Sequence, residues 1–224
     1  MLNQNIWALS GQEKRRQERR AQVTAFYLNP ETCDFVLDVG CAEGFVTSRL
    51  LKASYVVGLD LSKSSLLAAK QRLRQPNVDF IRADVTALPL KPSAFDKMAV
   101  LEVLEHLTKE QQNRLCTEAG RILMKKGTLV VTVPYKEQIT YTTCIHCGKS
   151  TPLWGHLCSL DEERVTSLLS YRYSLVARCH FPNLALLSLS SIFQHLPFRL
   201  WLISNNLLGR VRRGYWVLLK YDKT

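Results

Sequence analysis

Side chains able to do chemistry gather at three places in the 224-residue chain. The first is the turn Val36-Leu37-Asp38-Val39-Gly40-Cys41-Ala42-Glu43-Gly44. A glycine-rich bend between a strand and a helix lets backbone approach a ligand closely and aims helix N–H groups at it. A second acid, Asp60, ends the next apolar run 22 residues after Asp38. Acids at about that distance grip the two hydroxyls of a ribose. The second place is Glu102-x-x-Glu105-His106. Spacing of i, i+3 and i+4 puts all three on one helical face, where they suit a divalent cation. The other reading keeps His106 as a pocket residue or base, with the glutamates capping or pairing. The third is Cys144-Ile145-His146-Cys147-Gly148, followed by His156 and Cys158. A Cys-x-x-Cys knuckle and an imidazole can complete a tetrahedral structural zinc site, with Cys144, Cys147, His156 and Cys158 the best set and His146 a substitute. The gap between the halves is short for a two-knuckle ribbon, so unbound thiols in a loop are the alternative. A redox motif would normally open a helix after a strand.

These groups need a scaffold, and the apolar pattern supplies one. Short apolar runs at 35–39, 55–59, 78–81, 95–101 and 128–133 read as strands. Helices are expected between them at 44–53, after Ser62, and at 109–124 closing at Gly127. Near-continuous apolar strands alternating with helices make a parallel sheet covered on both faces. A helix at 161–170 carries Asp161, Glu162 and Glu163 in its first turn, as the helix dipole favours. Strands at 173–177 and 214–219 complete the set. One domain over 1–224 is expected: a basic helix at 9–27, a ligand-binding core at 30–135, a Cys/His loop at 136–160 and an apolar lid at 183–208.

At this point the chain resembles the class I S-adenosylmethionine-dependent methyltransferases. The family's acid-x-Gly-x-Gly-x-Gly turn is matched by Asp38-x-Gly40-x-Ala42-x-Gly44, with Ala42 at the middle glycine. Asp60 in Gly58-Leu59-Asp60-Leu61-Ser62 matches the second acid, and Asp84 in Ala83-Asp84-Val85 the third. Phe95-Asp96 with Leu101 to Leu107, and Gly127-Thr128-Leu129, resemble the later blocks. A nicotinamide enzyme would show Gly-x-Gly-x-x-Gly instead. The resemblance implies a Rossmann-like three-layer αβα sandwich, with a seven-stranded, mostly parallel sheet in the order 3-2-1-4-5-7-6 and an antiparallel last strand. It implies S-adenosylmethionine as cofactor, with Asp38, Gly40, Ala42 and Gly44 at the methionine end, Asp60 and Leu61 at the ribose, and Asp84 and Val85 at the adenine. Ubiquinone-pathway and small-RNA 2′-O-methyltransferases resemble the Glu102-to-His106 run and hold a metal there.

The acceptor is bounded only by charge. Thirty Lys+Arg against nineteen Asp+Glu give +11, which favours anionic partners. Lys14, Arg15, Arg16, Arg19 and Arg20 form one basic group, Arg199, Arg210, Arg212, Arg213, Lys220 and Lys223 another, and the 183–208 stretch adds apolar residues. Apolar and basic residues together suit a small-molecule or lipid-linked acceptor with peripheral membrane contact. An RNA methyltransferase and a non-catalytic zinc-stabilised binding protein on the same fold stay open, although no RNA-binding module is recognisable. Seven cysteines, no signal-peptide shape and no long apolar run point to the cytoplasm.

Overall fold

The structure, a computed structural model, describes residues 8–169, 171–181, 193, 195–211 and 214–224. Helix α1 (Gly11–Leu28) opens it and ends where Asn29 turns left-handed and donates its N–H to the Ala25 carbonyl. Strands β1 (Phe35–Val39), β2 (Tyr55–Asp60), β3 (Val78–Arg82) and β4 (Phe95–Leu101) follow, with α2 (Lys63–Arg72) after β2. Helix α3 (Lys109–Ile122) leads into β5 (Leu123–Pro134). A small hairpin of β6 (Tyr141–Thr143) and β7 (Ser150–Pro152) precedes α4 (Glu162–Leu169), β8 (Tyr173–Phe181), α5 (Phe198–Val211) and β9 (Trp216–Lys223).

The main sheet has the order β3-β2-β1-β4-β5-β9-β8. This is the expected order once the hairpin strands are counted. Only β9 is reversed, antiparallel to both β5 and β8. Alternate residues of each central strand face opposite sides, as the pleat requires. Leu37, Val39, Met98, Val100, Leu129 and Val131 pack with Leu115, Ile122 and Val165 of α3 and α4. Val36, Val56, Ala99, Val130 and Leu218 pack with Val23, Leu28, Leu66 and Trp201 of α1, α2 and α5. Three layers result.

Two expectations change, and a third is only partly described. The helix at 44–53 is only a 3-10 turn, Thr47–Arg49. Its hydroxyls bond elsewhere: Thr47 Oγ1 donates to Asp38 Oδ2 and Ser48 Oγ to the Phe45 carbonyl. Such bonds compete with a helical ladder. Helix α3 stops at Ile122, so Gly127 lies inside β5 rather than at a helix end. A Cβ there would stand 2.8 Å from the Asp96 carbonyl oxygen. Part of the 183–208 lid, residues 183–192 and 194, lies outside the described residues; its end is α5.

Candidate functional site

A cleft of about 760 Å³ opens at the carboxyl ends of β1, β2 and β4. This is where open α/β sheets bind ligands. Asp38, Gly40, Ala42, Asp60, Leu61, Asp84 and Val85 all line it. Gly40 turns left-handed at φ 77, and a Cβ there would lie 2.4 Å from Val103 Cγ2. Glycine is therefore required by φ and by space. Gly44 (φ 78) plays another part. It is buried behind the turn, where a Cβ would meet Leu73 Cδ1 at 3.0 Å, so it fits the turn against α2 rather than a ligand.

Asp38 is fully buried at the cleft floor. Thr47 donates to its Oδ2 at 2.6 Å, while Oδ1 has no donor among the described residues. Burial, with a smaller push from Asp60, raises its pKa to about 6. A buried carboxylate oxygen without a donor is costly, and a cationic N–H group in the cleft would relieve it. Asp60 ties the turn to the tip of β2. Its Oδ2 accepts from Ala42 N–H at 2.9 Å and its Oδ1 from Ser62 N–H at 2.8 Å. A carboxylate accepts at about four sites, so hydroxyls can still dock there. Asp84 sits exposed at the rim; its Oδ1 accepts the N–H and hydroxyl of Thr86, both at 2.8 Å, and these bonds lower its pKa.

The Glu102-to-His106 run does not form one helical face. Glu102 is left-handed (φ 54) and precedes a 3-10 turn, Leu104–His106. Its carboxylate is already engaged. Trp216 Nε1 and Thr132 Oγ1 donate to Oε1 at 2.6 and 3.1 Å, and Arg20 pairs with Oε2 at 2.5 Å. The Arg20 guanidinium also lies 4.6 Å over the Trp216 ring. Glu105 turns away from the cleft, is 1% exposed, and has no donor to either oxygen among the described residues. Burial first, and the Glu102 charge second, hold its carboxyl well above the ordinary range. His106 Nδ1 lies 3.1 Å from the Gly155 carbonyl oxygen, which can only accept. The proton is therefore on Nδ1, and Nε2 carries a free lone pair. Burial lowers the His106 pKa, which favours the neutral ring.

Sequence reasoning missed what surrounds this pair. His156 packs edge-on to His106 with ring centroids 4.7 Å apart and pairs through Nδ1 with Glu137. Ligand atoms of Glu105, His106 and His156 lie within 4.8 Å of one another. The zinc set is corrected accordingly: among the described residues Cys144, Cys147, His156 and Cys158 do not come together. Cys144 and Cys147 flank the tip of the β6–β7 hairpin, where N–H groups of Cys147 and His146 bond the Cys144 sulfur and lower its pKa. His156 is turned to Glu137, and Cys158 Sγ accepts from Gln112 Nε2 at 3.1 Å. Also missed were Gln17, Arg20 and Thr24 of α1 and Trp216 of β9, which wall the cleft. Nothing in a solvated-looking basic helix marks one polar face as ligand-facing.

Residues 36–127 match a family model described as a methyltransferase domain. A probable S-adenosylmethionine-dependent methyltransferase of Mycobacterium tuberculosis is 32% identical over 154 residues, 67% of this chain and 53% of its own length. The phthiotriol/phenolphthiotriol dimycocerosates methyltransferase of the same organism is 31% identical over 119 residues, 50% of this chain and 43% of its own length. The chain spans about half the length of these curated relatives. Among solved structures, the N-methyltransferase NodS from Bradyrhizobium japonicum with S-adenosyl-l-homocysteine has a TM-score of 0.63 at 18% identity, covering 93% of this chain and 87% of that one. That last likeness is one of fold. The matched domain holds Asp38, Gly40, Asp60, Asp84 and His106. On its blocks, its sheet order and its relatives, the chain is similar to the S-adenosylmethionine-dependent methyltransferases, and residues 36–127 match their methyltransferase domain.

Proposed function

We propose that the chain transfers the methyl group of S-adenosylmethionine to a small-molecule or lipid-linked acceptor at the His106 side of the cleft. One observation carries the cofactor assignment: the buried Asp38 oxygen that has no donor among the described residues, at the floor of a cleft that Asp60 and Asp84 also line. Asp38 would hold the ammonium of the methionine moiety, Asp60 and Leu61 the ribose, and Asp84 with Val85 the adenine. When bound, the cofactor supplies an electrophilic methyl on a positive sulfur, so the protein's task is mainly to hold donor and acceptor close, aligned and dry. His106 Nε2 is placed to take the proton that an oxygen or nitrogen acceptor must lose. Glu102 is a positioning residue in this scheme, since it fixes Arg20 and Trp216 at the wall. The lipid methyltransferase among the relatives supports a lipid-linked acceptor.

Calorimetry with S-adenosylmethionine and S-adenosylhomocysteine tests the cofactor step. A labelled-methyl assay over separate lipid, RNA and small-molecule pools tests the acceptor. No binding of either compound overturns the reading. Label in RNA alone replaces the acceptor class.

The Glu105 carboxyl, without a hydrogen-bond partner among the described residues, favours a second reading of the same corner. Glu105, His106 and His156 would hold a divalent cation, which would orient an acceptor hydroxyl. The expected sign is a rise in melting temperature with Mg²⁺, Mn²⁺ or Zn²⁺ that Glu105→Gln removes. No shift with any of the three rejects it.

A further inference from the structure

The end of the chain carries a charge pattern that the cleft does not use. Between Glu163 and Asp222 there is no Asp or Glu, while eight Lys and Arg occur there. Helix α5 is the amphipathic element of this acid-free stretch. Its inner face buries Trp201, Leu202 and Asn205. Its outer face presents Leu200, Ile203 and Leu207, which are 54%, 66% and 64% exposed. Spacing of i, i+3 and i+7 lines these three along one side of the helix. Arg199 is exposed beside them. An aliphatic stripe of this kind has no reason to face water on a monomer unless something covers it.

We infer that the outer face of α5 seats the protein on an anionic lipid bilayer. The charge settles the occupant. A second copy of a +11 chain, meeting through a helix that carries two Arg and no acid, would bring like charges together. An anionic bilayer complements the same surface, and an amphipathic helix lies in its headgroup layer with the apolar side inward. RNA fits less well, because base stacking calls for exposed aromatics and the stripe is aliphatic. The placement also reaches the cleft. Helix α1 stands between the two: its Arg19 lies over the Trp201 ring of α5, while its Gln17, Arg20 and Thr24 line the cleft. An acceptor anchored in the bilayer would thus meet the cleft one helix away from the seat. The inference stands on the surface alone and does not depend on methyl transfer.

The test is co-sedimentation of the full chain with vesicles of phosphatidylcholine, or of phosphatidylcholine with one-third phosphatidylglycerol. Partition is expected to be at least tenfold greater into the anionic vesicles and to fall with added salt. The triple variant Leu200→Ser, Ile203→Ser, Leu207→Ser leaves the charge untouched and is expected to lose at least fivefold. Thermal melting and S-adenosylhomocysteine binding should stay as in the parent, since no altered residue is buried. Equal partition into both vesicles, or wild-type partition of the triple variant, overturns the inference. So does a self-association that the variant abolishes with no vesicle binding, or RNA capture without vesicle binding. Loss of cofactor binding in the parent chain with vesicle binding intact would instead count against the proposed activity alone.

Discussion

Asp38 is costly to the fold, and the proposed scheme gives that cost a use in holding the cofactor's ammonium. Its pKa is raised from 3.8 to about 6 by burial. The folded state therefore holds this proton more tightly than the unfolded chain does. Stability from this group is greatest at low pH and falls as pH rises from 3.8 to about 6, by about 3 kcal/mol in all. Asp38→Asn keeps an acceptor for Thr47 and removes the charge. It is expected to raise the melting temperature of the cofactor-free protein at neutral pH while abolishing cofactor binding, read by calorimetry. In the parent, affinity for S-adenosylhomocysteine should be full above about pH 6 and fall by about tenfold per unit below it. A flat profile would remove Asp38 from the ammonium's partners. Ala42 carries a second local cost, since it is a non-glycine residue at φ 45. Ala42→Gly is expected to stabilise the turn by about 1 kcal/mol and leave its N–H bond to Asp60 in place. Denaturant unfolding would show it.

At the scale of elements, caps and loops decide what the cleft can rely on. Thr108 caps α3, accepting the Gln111 N–H, while the Gln111 side chain accepts the Thr108 N–H. Gln111 also lines the cleft. Thr108→Ala is expected to cost about 1 kcal/mol, or about 2–4 °C in melting temperature for a chain of this size. The β6–β7 hairpin behaves differently. Its Cys144 thiol is lowered by N–H donors, whereas burial pushes Cys116 to about 11 and Cys179 to about 12. Iodoacetamide at neutral pH should label Cys144 well before Cys116 or Cys179, as peptide mass mapping would read. Comparable rates would contradict the hairpin geometry. The strands were legible because buried parallel strands are continuous apolar runs, and Ser62 marked the start of α2; the strand order followed only from the family resemblance. The 44–53 helix was not, because the Thr47 hydroxyl goes to Asp38, a contact between residues on separate elements. Cradle acids follow strand ends and could be read by spacing. His156 pairing with Glu137 beside His106 depends on how a loop folds back, and Cys-x-x-Cys spacing drew attention to the wrong partners.

On the scale of the whole molecule, the cleft is walled by parts far apart in sequence. Asp38, Asp60 and Asp84 come from successive strand ends, Arg20 from α1 and Trp216 from β9. Glu102 joins the last two by accepting from the Trp216 ring and pairing with the Arg20 guanidinium. Helix α1 is held over the cleft by Val23 and Leu28, which pack with Val36, Ala99 and Trp201. A ligand in the cleft must then stabilise the two ends of the chain together. Saturation with S-adenosylhomocysteine at about 100 times its Kd should add about 2.7 kcal/mol to the folded state. For a domain of this length that is a rise of roughly 5–11 °C in melting temperature. Hydrogen exchange should slow not only at the β1 turn but also in α1 around Arg20 and in β9 around Trp216. The Asp38→Asn variant should show neither effect. Protection confined to the β1 turn would mean that α1 is a cover the ligand never touches, and Arg20 would lose its place at the wall of the acceptor site.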